Sequence, residues 1–217
     1  MKTWIKAASL SVALVLGTPL AMAADAPSYT AGKEYTVIQG NNVGPQPELR
    51  EYFSLFCPHC AGMEQYVELI KEQLPEDVGF NRTHVDFLGG LSPALQKRMT
   101  QAYVFAQQSG DGDKFVHFMF KRIHSENNRP KSEADVDAAM VDFGYSEPAV
   151  AMGMASNSVV QESDAMALDQ ALLVEQGVLK GVPSFIVNNK YLINMNQLDR
   201  KDPLGDLAKL VQHLNSL

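Results

Sequence analysis

The chain has two cysteines, and both lie in one short motif, Cys57-Pro58-His59-Cys60. Two thiols separated by two residues can form a disulfide and reopen it, so this spacing is typical of disulfide-exchanging proteins. It also serves as half of a zinc site, but zinc needs four ligands, and the sequence offers neither a second cysteine pair nor a close His-x-x-x-His pair. A purely structural disulfide is the other alternative, although closing so short a loop stabilises a fold little. We therefore predict redox chemistry at this motif and no metal site.

The flanking residues predict where each cysteine lies. Residues 49–55 alternate in the period of two that is typical of a strand, with a largely buried composition. The residues after the motif switch to helical spacing, with apolar side chains at Cys60, Met63, Val67, Ile70 and Leu74. Cys57 therefore begins a helix with Pro58 in its first turn, where free backbone N–H groups and the helix dipole favour a thiolate. We predict that Cys57, assisted by His59, is an exposed and acidic nucleophile, and that Cys60 is its buried resolving partner.

The first 23 residues resemble a secretory signal peptide. Lys2 and Lys6 form a basic start, residues 7–20 are mostly apolar, and Ala21-Met22-Ala23 matches a small-x-small cleavage site. A membrane anchor is the alternative, but the apolar run is shorter than the roughly 20 residues needed to cross a bilayer. We expect a mature chain that begins near Ala24 in an oxidising compartment, where disulfides persist.

The charge and composition exclude some classes of function. Loss of Lys2 and Lys6 would take the formal net charge from −7 to −9. An acidic chain without a basic stripe is not expected to bind nucleic acid. With 46% apolar residues, the mature chain can form one sizeable core or two small ones.

The order of elements predicts an α/β fold with a helical block inserted into it. Strands are expected over residues 35–38, 49–55 and 78–87, with the motif helix ending before Pro75. Gly89-Gly90 then opens a helical region that extends to about residue 176, with Leu168 and Leu172 among the apolar residues of its last helix. The predicted N-caps of these helices are Ser92, Asp113, Ser132, Ser146, and Ser156 or Ser158. A hairpin with an Asn188-Asn189 turn and a final helix over residues 204–214 complete the chain.

Three segments together resemble the DsbA family of thiol:disulfide oxidoreductases. They are Phe53-Ser54-Leu55-Phe56-Cys57-Pro58-His59-Cys60, His84-Val85-Asp86-Phe87-Leu88-Gly89-Gly90 and Gly181-Val182-Pro183. The resemblance implies a thioredoxin fold with an inserted all-helical domain. The expected division is a signal peptide at 1–23, a discontinuous thioredoxin-like domain at 24–88 and 170–217, and a helical domain at 89–169.

The resemblance also implies roles for residues outside the motif. It implies that the Val182–Pro183 peptide bond is cis, that this turn lies against the cysteines, and that Val182 and Pro183 contact substrate. Glu51 and Arg82 match a buried acid and base beneath the disulfide, and Glu51 already stands out because it shares a strand face with apolar residues. Its role is either structural, as the partner of Arg82, or proton management during exchange. Relatives often have lysine where this chain has Arg82, which stays protonated.

The function that the resemblance implies is a periplasmic dithiol oxidase of a Gram-negative bacterium. Such an enzyme donates its Cys57–Cys60 disulfide to reduced, unfolded secreted proteins, works as a monomer, and is reoxidised by a DsbB-type membrane quinone reductase. It needs no cofactor beyond that disulfide. Two alternatives stay open: a reductase or isomerase on the same fold, and a peptide-binding chaperone that uses the methionine-rich helical block as a groove.

Four other residues receive modest expectations. Glu64 lies a helical turn beyond Cys60 and is interpreted mainly as a solvated charge. His84 is interpreted as a strand or hinge residue more than as a catalyst. His117 and His124 are seven residues apart on one predicted helix but have no further ligands near them in sequence, so we do not expect a metal there.

Overall fold

The computed structural model describes residues 28–40, 44 and 46–217. The predicted signal peptide at residues 1–23 lies outside these residues. Within the described part of the chain, no helix is both long and apolar enough to cross a bilayer.

The described residues form a five-stranded mixed sheet. Its strands are β1 (Tyr35–Val37), β2 (Glu48–Phe53), β3 (Gly79–His84), β4 (Ser184–Val187) and β5 (Tyr191–Ile193). Their order in the sheet is β1-β5-β4-β2-β3, with β2 and β3 parallel and every other pair antiparallel. Strand β2, which leads to the cysteine motif, is therefore an interior strand with neighbours on both sides.

The helices divide into two that flank the sheet and a block between β3 and β4. The flanking helices are α1 (Pro58–Gln73) and α7 (Pro203–Asn215). The block contains α2 (Pro93–Gln108), α3 (Gly112–Phe120), α4 (Glu133–Phe143), α5 (Glu147–Met154) and α6 (Asn157–Glu175). A π-helical turn at Lys121–Ser125 follows α3, and a 3₁₀ turn at Met195–Gln197 precedes α7. The predicted α/β class with an inserted helical block is confirmed.

Local signals in the sequence account for most helix ends. Ser92, Ser132, Ser146 and Ser156 each accept a hydrogen bond from a first-turn N–H, as predicted, and Ser132 forms a full capping box with Asp135. These side chains satisfy N–H groups that have no partner inside the helix.

One expectation about the helical block is wrong, and the buried face of its last helix is partly polar. Asp113 does not cap α3, because the helix begins at Gly112 with Asp111 as its N-cap, and Asp113 instead pairs with Lys71. Leu168 and Leu172 are exposed on α6. The buried face of α6 is offset from them and consists of Val159, Ser163, Met166, Gln170 and Leu173. Two of those buried residues are polar, so apolar residues alone do not mark the buried face of α6.

The hairpin between β4 and β5 forms where the sequence predicts it. Asn188 and Asn189 have φ angles of 51° and 59°, in the left-handed region that a tight hairpin turn requires. Asn188 also fixes the turn to the sheet, because its side-chain oxygen accepts from the Glu48 N–H at 2.9 Å.

The boundary between the two predicted domains remains a prediction. The block begins after β3 and α6 leads back to β4, so the connection runs as the sequence indicates. However, α6 is continuous across the predicted boundary at residues 169–170. Tyr52 of β2 also donates a hydrogen bond to Asp169 of α6 at 2.7 Å, which joins this helix to the sheet.

The end of β2 is packed into the core of the helical block. Phe53, Leu55, Phe56, Cys57 and Cys60 share one hydrophobic cluster with buried residues of the block. A second cluster lies between the sheet and α7 and contains Leu49, Phe185, Leu207, Leu210 and Val211. The cysteine motif therefore lies where the sheet and the inserted helices meet.

Candidate active site

Cys57 is the N-cap residue of α1, and Pro58 is the first helical residue. Its extended backbone, with φ −90° and ψ 120°, turns the chain from β2 into the helix. The Cys57 N–H donates to the Ser54 carbonyl at 3.0 Å, which closes the turn before the helix. Both cysteines are free thiols in this structure. The first sulfur therefore lies at the positive end of a 16-residue helix.

The two sulfurs have opposite acidities. A hydrogen bond from Cys60 is the main cause that lowers the pKa of Cys57 to about 5. Burial opposes it, and the backbone N–H groups of Cys60 and His59 and the charge of His59 contribute to the lowering. The pKa of Cys60 is raised, mainly because its thiol donates that hydrogen bond and because it is buried. At neutral pH the reduced pair thus consists of a Cys57 thiolate and a Cys60 thiol.

Cys57 is less exposed than the sequence predicts. Only 7% of the residue is accessible, against 1% for Cys60, so its expected exposure is wrong, although it remains the more accessible of the two. The cover comes from the loop before β4: when protonated, the Cys57 thiol donates to the Val182 carbonyl at 3.4 Å. This long-range contact joins residues 125 positions apart and has no signature in the local sequence.

The turn beside Cys57 has the geometry that the family resemblance implies. The Val182–Pro183 peptide bond is cis. The Val182 side chain is partly buried against both the cluster around the cysteines and a smaller cluster that includes Leu179 and Ile186. Pro58 and His59, between the two cysteines in the first turn of α1, are exposed. An incoming group can therefore approach Cys57 between the cis-proline turn and the first turn of α1.

A buried charge cluster lies behind the motif. Arg82 on β3 donates from Nε to Glu51 on β2 at 2.8 Å, and its Nη2 donates to Glu64 on α1 at 2.5 Å. The Arg82 and Glu51 side chains are almost fully buried, and Glu64 is largely covered. The parallel register places Glu51 directly opposite Arg82, which explains why a carboxylate is tolerated on the buried face of β2.

Glu64 is the residue of this cluster that the sequence interpretation missed. Its assignment as a solvated charge is wrong, because it shares Arg82 with Glu51. The signal was available in its spacing, since Glu64 lies four residues after Cys60 and so on the same face of α1. What could not be deduced was that the guanidinium of a distant strand would reach that face.

Burial and charge attraction have different net effects on the pKa values of Glu51 and Arg82. Burial raises the pKa of Glu51 more than the attraction of Arg82 lowers it. The pKa of Arg82 is raised, because the attraction of Glu51 and Glu64 outweighs the opposing effect of its burial. Glu51 is close enough to Cys60 to contribute to that thiol's raised pKa. A buried carboxyl group with a raised pKa therefore acts electrostatically on the Cys60 thiol.

His84 is a neutral structural residue. Its Nε2 accepts from the Leu55 N–H at 3.1 Å, and its Nδ1 lies 2.8 Å from the Thr100 hydroxyl, which donates to the Gln96 carbonyl. This arrangement assigns the proton to Nδ1. Complete burial lowers the pKa of His84 to about 3, so the ring does not take up a proton near neutral pH.

His124 contacts the active-site loop from the opposite side. Its Nε2 lies 2.9 Å from the Leu55 carbonyl oxygen, 69 residues earlier in the chain. From its sequence position His124 was considered only as a metal ligand, which was not expected, and the π-helical turn that carries it was not predicted. Among the described residues, no group of three or more potential ligands is arranged to hold a metal ion.

The structure thus brings most of the predicted site residues together. The N-terminal end of α1 contains Cys57, Pro58, His59 and Cys60. The Val182 carbonyl contacts Cys57, and Pro183 follows Val182 in the cis turn. Glu51 and Arg82 lie behind the motif. The arrangement can stabilise a thiolate on Cys57 and keep a proton on Cys60, beside a half-buried cis-proline turn.

Comparisons with known proteins place most of the chain in one family. The family model of the DSBA-like thioredoxin domain matches residues 48–204. Thiol:disulfide interchange protein DsbA of Pectobacterium carotovorum subsp. carotovorum is 35% identical over 188 residues, which cover 85% of this chain and 86% of the relative. DsbA of Escherichia coli strain K12 is 33% identical over 186 residues, which cover 84% and 85% of the two chains.

Solved structures show the same fold. The crystal structure of DsbA from Klebsiella pneumoniae superposes with a TM-score of 0.73 at 29% identity and covers 88% of this chain and all of its own. DsbA from Proteus mirabilis, in complex with a non-covalently bound peptide, gives a TM-score of 0.70 at 24% identity and covers 88% and 98% of the two chains. The architecture is therefore a thioredoxin fold with a helical insertion.

Proposed function

Because this chain belongs to the family of DSBA-like thioredoxin domains and is a thiol:disulfide oxidoreductase, we propose that it works as an oxidant of exported proteins. It donates its Cys57–Cys60 disulfide to reduced, unfolded polypeptides. The single observation that carries this direction is the low pKa of Cys57, about 5. A stabilised thiolate favours the reduced pair, and a pair that favours its reduced form oxidises others.

The proposed reaction transfers one electron pair in two steps. A substrate thiolate first attacks the Cys57 sulfur of the disulfide, and Cys60 leaves and takes up a proton. A second substrate thiolate then attacks the substrate sulfur of this mixed disulfide and displaces the Cys57 thiolate. The substrate is oxidised to a disulfide, and the enzyme retains two electrons as a thiol and a thiolate. The acidity of Cys57 assists the second step, since low-pKa thiols leave faster.

We propose that Glu51 exchanges the proton that Cys60 gains and loses. Its burial favours the protonated carboxyl, and its charge acts on Cys60. Arg82 stays charged, as its raised pKa supports, so it orients and balances the carboxylates without donating a proton itself. Glu64 on α1 is the second carboxylate that pairs with Arg82.

We propose that the substrate chain binds along the cis-proline turn. The Val182 carbonyl, 3.4 Å from the Cys57 sulfur, lies where the backbone of an extended peptide bonded to Cys57 would run. Val182 and Pro183 would then hold the peptide, and the exposed Pro58 and His59 would border it. The peptide complex of the Proteus mirabilis protein is consistent with this kind of ligand.

The remaining parts of the proposal concern the cellular cycle. The protein is exported to the periplasm of a Gram-negative bacterium, acts there as a monomer, and uses no cofactor beyond its disulfide. A DsbB-type membrane quinone reductase accepts the electrons of the reduced pair. Support comes from the signal-like residues 1–23 and from the enterobacterial relatives.

Oxidative folding of a reduced, denatured substrate tests the proposed direction. Oxidised protein in stoichiometric amounts should form the substrate's disulfides within minutes, in step with the loss of its own disulfide. Reduction of substrate disulfides under the same conditions would favour the reductase alternative. Suppression of aggregation by a Cys57→Ser variant, without disulfide formation by the wild type, would favour the chaperone.

Reoxidation has its own test. Reduced protein is incubated with inner membranes that contain quinone, and its disulfide is followed by thiol alkylation. Recovery faster than in an air control supports the membrane partner, whereas recovery at the rate of the air control rejects it.

A further inference from the structure

The segment that follows α3 has an irregular backbone. The π-helical turn Lys121–Ser125 is closed by a bond from the Glu126 N–H to the Lys121 carbonyl at 3.0 Å. Asn127 then has a φ of 55°, in the left-handed region, and the Asn128 N–H donates to the Arg122 carbonyl at 2.9 Å. Such turns and positive φ angles in non-glycine residues persist where the surrounding structure fixes them. We call residues 121–129 the post-α3 segment.

The post-α3 segment contacts the loop that leads into Cys57 at two successive residues. His124 Nε2 lies 2.9 Å from the Leu55 carbonyl, and the Arg129 guanidinium lies 5.1 Å from the centre of the Phe56 ring. Phe56 is buried and immediately precedes Cys57, so Arg129 covers the last side chain before the nucleophile.

The same loop is held from the sheet by His84, which accepts from the Leu55 N–H at 3.1 Å. Both polar groups of Leu55 are therefore bonded to imidazole rings, one on β3 and one on the post-α3 segment. His84 accepts and His124 donates, so the two rings cannot exchange roles without breaking a bond. With these partners, the polar groups of Leu55 are satisfied away from water.

We propose that His124 is a positioning residue for the thiol exchange, a role that rests on the proposed function: by holding the Leu55 carbonyl it fixes the Cys57 sulfur against the first N–H groups of α1. The π-helical turn orients the His124 imidazole toward the Leu55 carbonyl. Ile123 is buried in the helical core beside it, which anchors the turn, and His124 itself reaches across to the loop.

The physical reason is the short range of the interactions that stabilise the thiolate. Charge-assisted bonds from N–H groups to the sulfur depend strongly on distance and angle, and the effect of a helix terminus falls off within one turn. The stretch from Leu55 to Cys57 is two residues long, so a displaced Leu55 carbonyl moves the sulfur relative to the helix. Loss of the His124 bond should therefore disfavour the reduced pair more than the oxidised pair.

The test compares His124→Leu, His124→Gln and, as the matched control, His117→Gln in the full mature protein. His117 is exposed on α3 and borders the same cavity of about 260 Å³ as His124, but it is not bonded to the loop among the described residues. The readouts are the equilibrium constant with glutathione and the pH titration of thiolate absorbance.

We expect His124→Leu to make the enzyme roughly three- to tenfold less oxidising in that equilibrium and to raise the titration midpoint of Cys57, as the loss of one hydrogen bond would do. His124→Gln retains a donor and should restore most of the loss, and His117→Gln should match the wild type. A purely structural role would lower the melting temperature without moving the equilibrium. An unchanged equilibrium in folded His124→Leu, or an equal shift in His117→Gln, would overturn the proposal.

A measurement on the wild-type protein tests the same hydrogen bond without relying on variants that fail to fold. The ¹⁵N shifts of the His124 ring should show a proton on Nε2, the nitrogen that faces Leu55. An unprotonated Nε2 would overturn the proposal, since that atom could not donate to the carbonyl. This result is independent of the direction of exchange. A wild-type protein that fails to oxidise its substrate would refute the proposed function and leave the hydrogen bond to be judged by the ring shifts alone.

Discussion

At the scale of single residues, the site depends on an asymmetry between two sulfurs of the same motif. Cys57 at the helix N-cap accepts hydrogen bonds, and Cys60, one turn into the helix, donates one and lies beside Glu51. The asymmetry follows from position alone, since the residue types are identical. The acidity of Cys57 was predictable from the strand-to-helix change around the motif, whereas the position of Val182 beside it followed only from the family resemblance.

Serine substitutions should separate the roles of the two cysteines. We expect Cys57→Ser to abolish oxidative folding of a reduced substrate, because no sulfur remains for the substrate to attack. Cys60→Ser should instead accumulate a mixed disulfide through Cys57, visible as a larger band on a non-reducing gel. Folding activity retained in Cys57→Ser, or a mixed disulfide formed through Cys60, would reverse the assignment.

The buried charge cluster gives a prediction about stability. Arg82→Met would leave Glu51 and Glu64 without their shared cation, and breaking a buried pair by removing one partner costs about 3 kcal/mol or more. Urea denaturation at pH 7 measures this loss. Lys97→Met removes a cation whose partner, Asp164, is exposed, and should cost less than about 1 kcal/mol. Similar losses in the two variants would show that the cluster is not stabilising.

At the scale of elements, the chain could be predicted where the cause is local and not where it is distant. Serine caps, the asparagine turn and the start of α1 follow from residues within one turn of them. The π-helical turn, the His124 contact and the pairing of Glu64 with Arg82 depend on neighbours far away in sequence. The buried face of α6 cannot be identified from an apolar period, because Ser163 and Gln170 form part of it.

The N-terminus of α1 couples redox state to stability and to pH. In the reduced protein, folding lowers the pKa of Cys57 from 9.0 to about 5, so the thiolate stabilises the folded state fully above pH 9. This stabilisation falls as pH decreases, is partly present at pH 7, and is lost below about pH 5. The oxidised protein has no such group.

Denaturation of reduced and oxidised protein at pH 4, 7 and 9 should reveal this coupling. We expect the free energy of unfolding of the reduced form, relative to the oxidised form, to increase from pH 4 to pH 9. A difference that stays constant across these three values, or that decreases with pH, would mean that α1 does not stabilise the thiolate.

At the scale of the whole molecule, the helical block and the sheet both contribute residues to the surroundings of the cysteines. One hydrophobic cluster contains the end of β2, both cysteines and the interior of the block, and the Tyr52–Asp169 bond joins β2 to α6. The position of the block between β3 and β4 was predictable from the order of strands and helices. Its contact with the site was not, since packing between distant elements leaves no periodic signal.

Export of the whole chain can be tested by its mature N-terminus. When the protein is expressed with its first 23 residues in a Gram-negative host, osmotic shock should release it. Its mass should be that of a chain that begins at Ala24. Replacement of Ala21 and Ala23 by arginine should block this processing, because the cleavage site requires small residues. Recovery of an unprocessed chain from the cytoplasm of the wild-type strain would argue against export.

The central claim is that the fold favours a Cys57 thiolate over a Cys57–Cys60 disulfide, and equilibration with glutathione tests it most directly. A Cys57 pKa of about 5 lies about two units below that of the attacking thiol in thioredoxin. This difference would raise the reduction potential by at most about 60 mV, and solvent screening reduces that increase. We therefore predict a reduction potential at least about 30 mV above the roughly −270 mV of thioredoxin. A potential at or below that of thioredoxin would contradict the account.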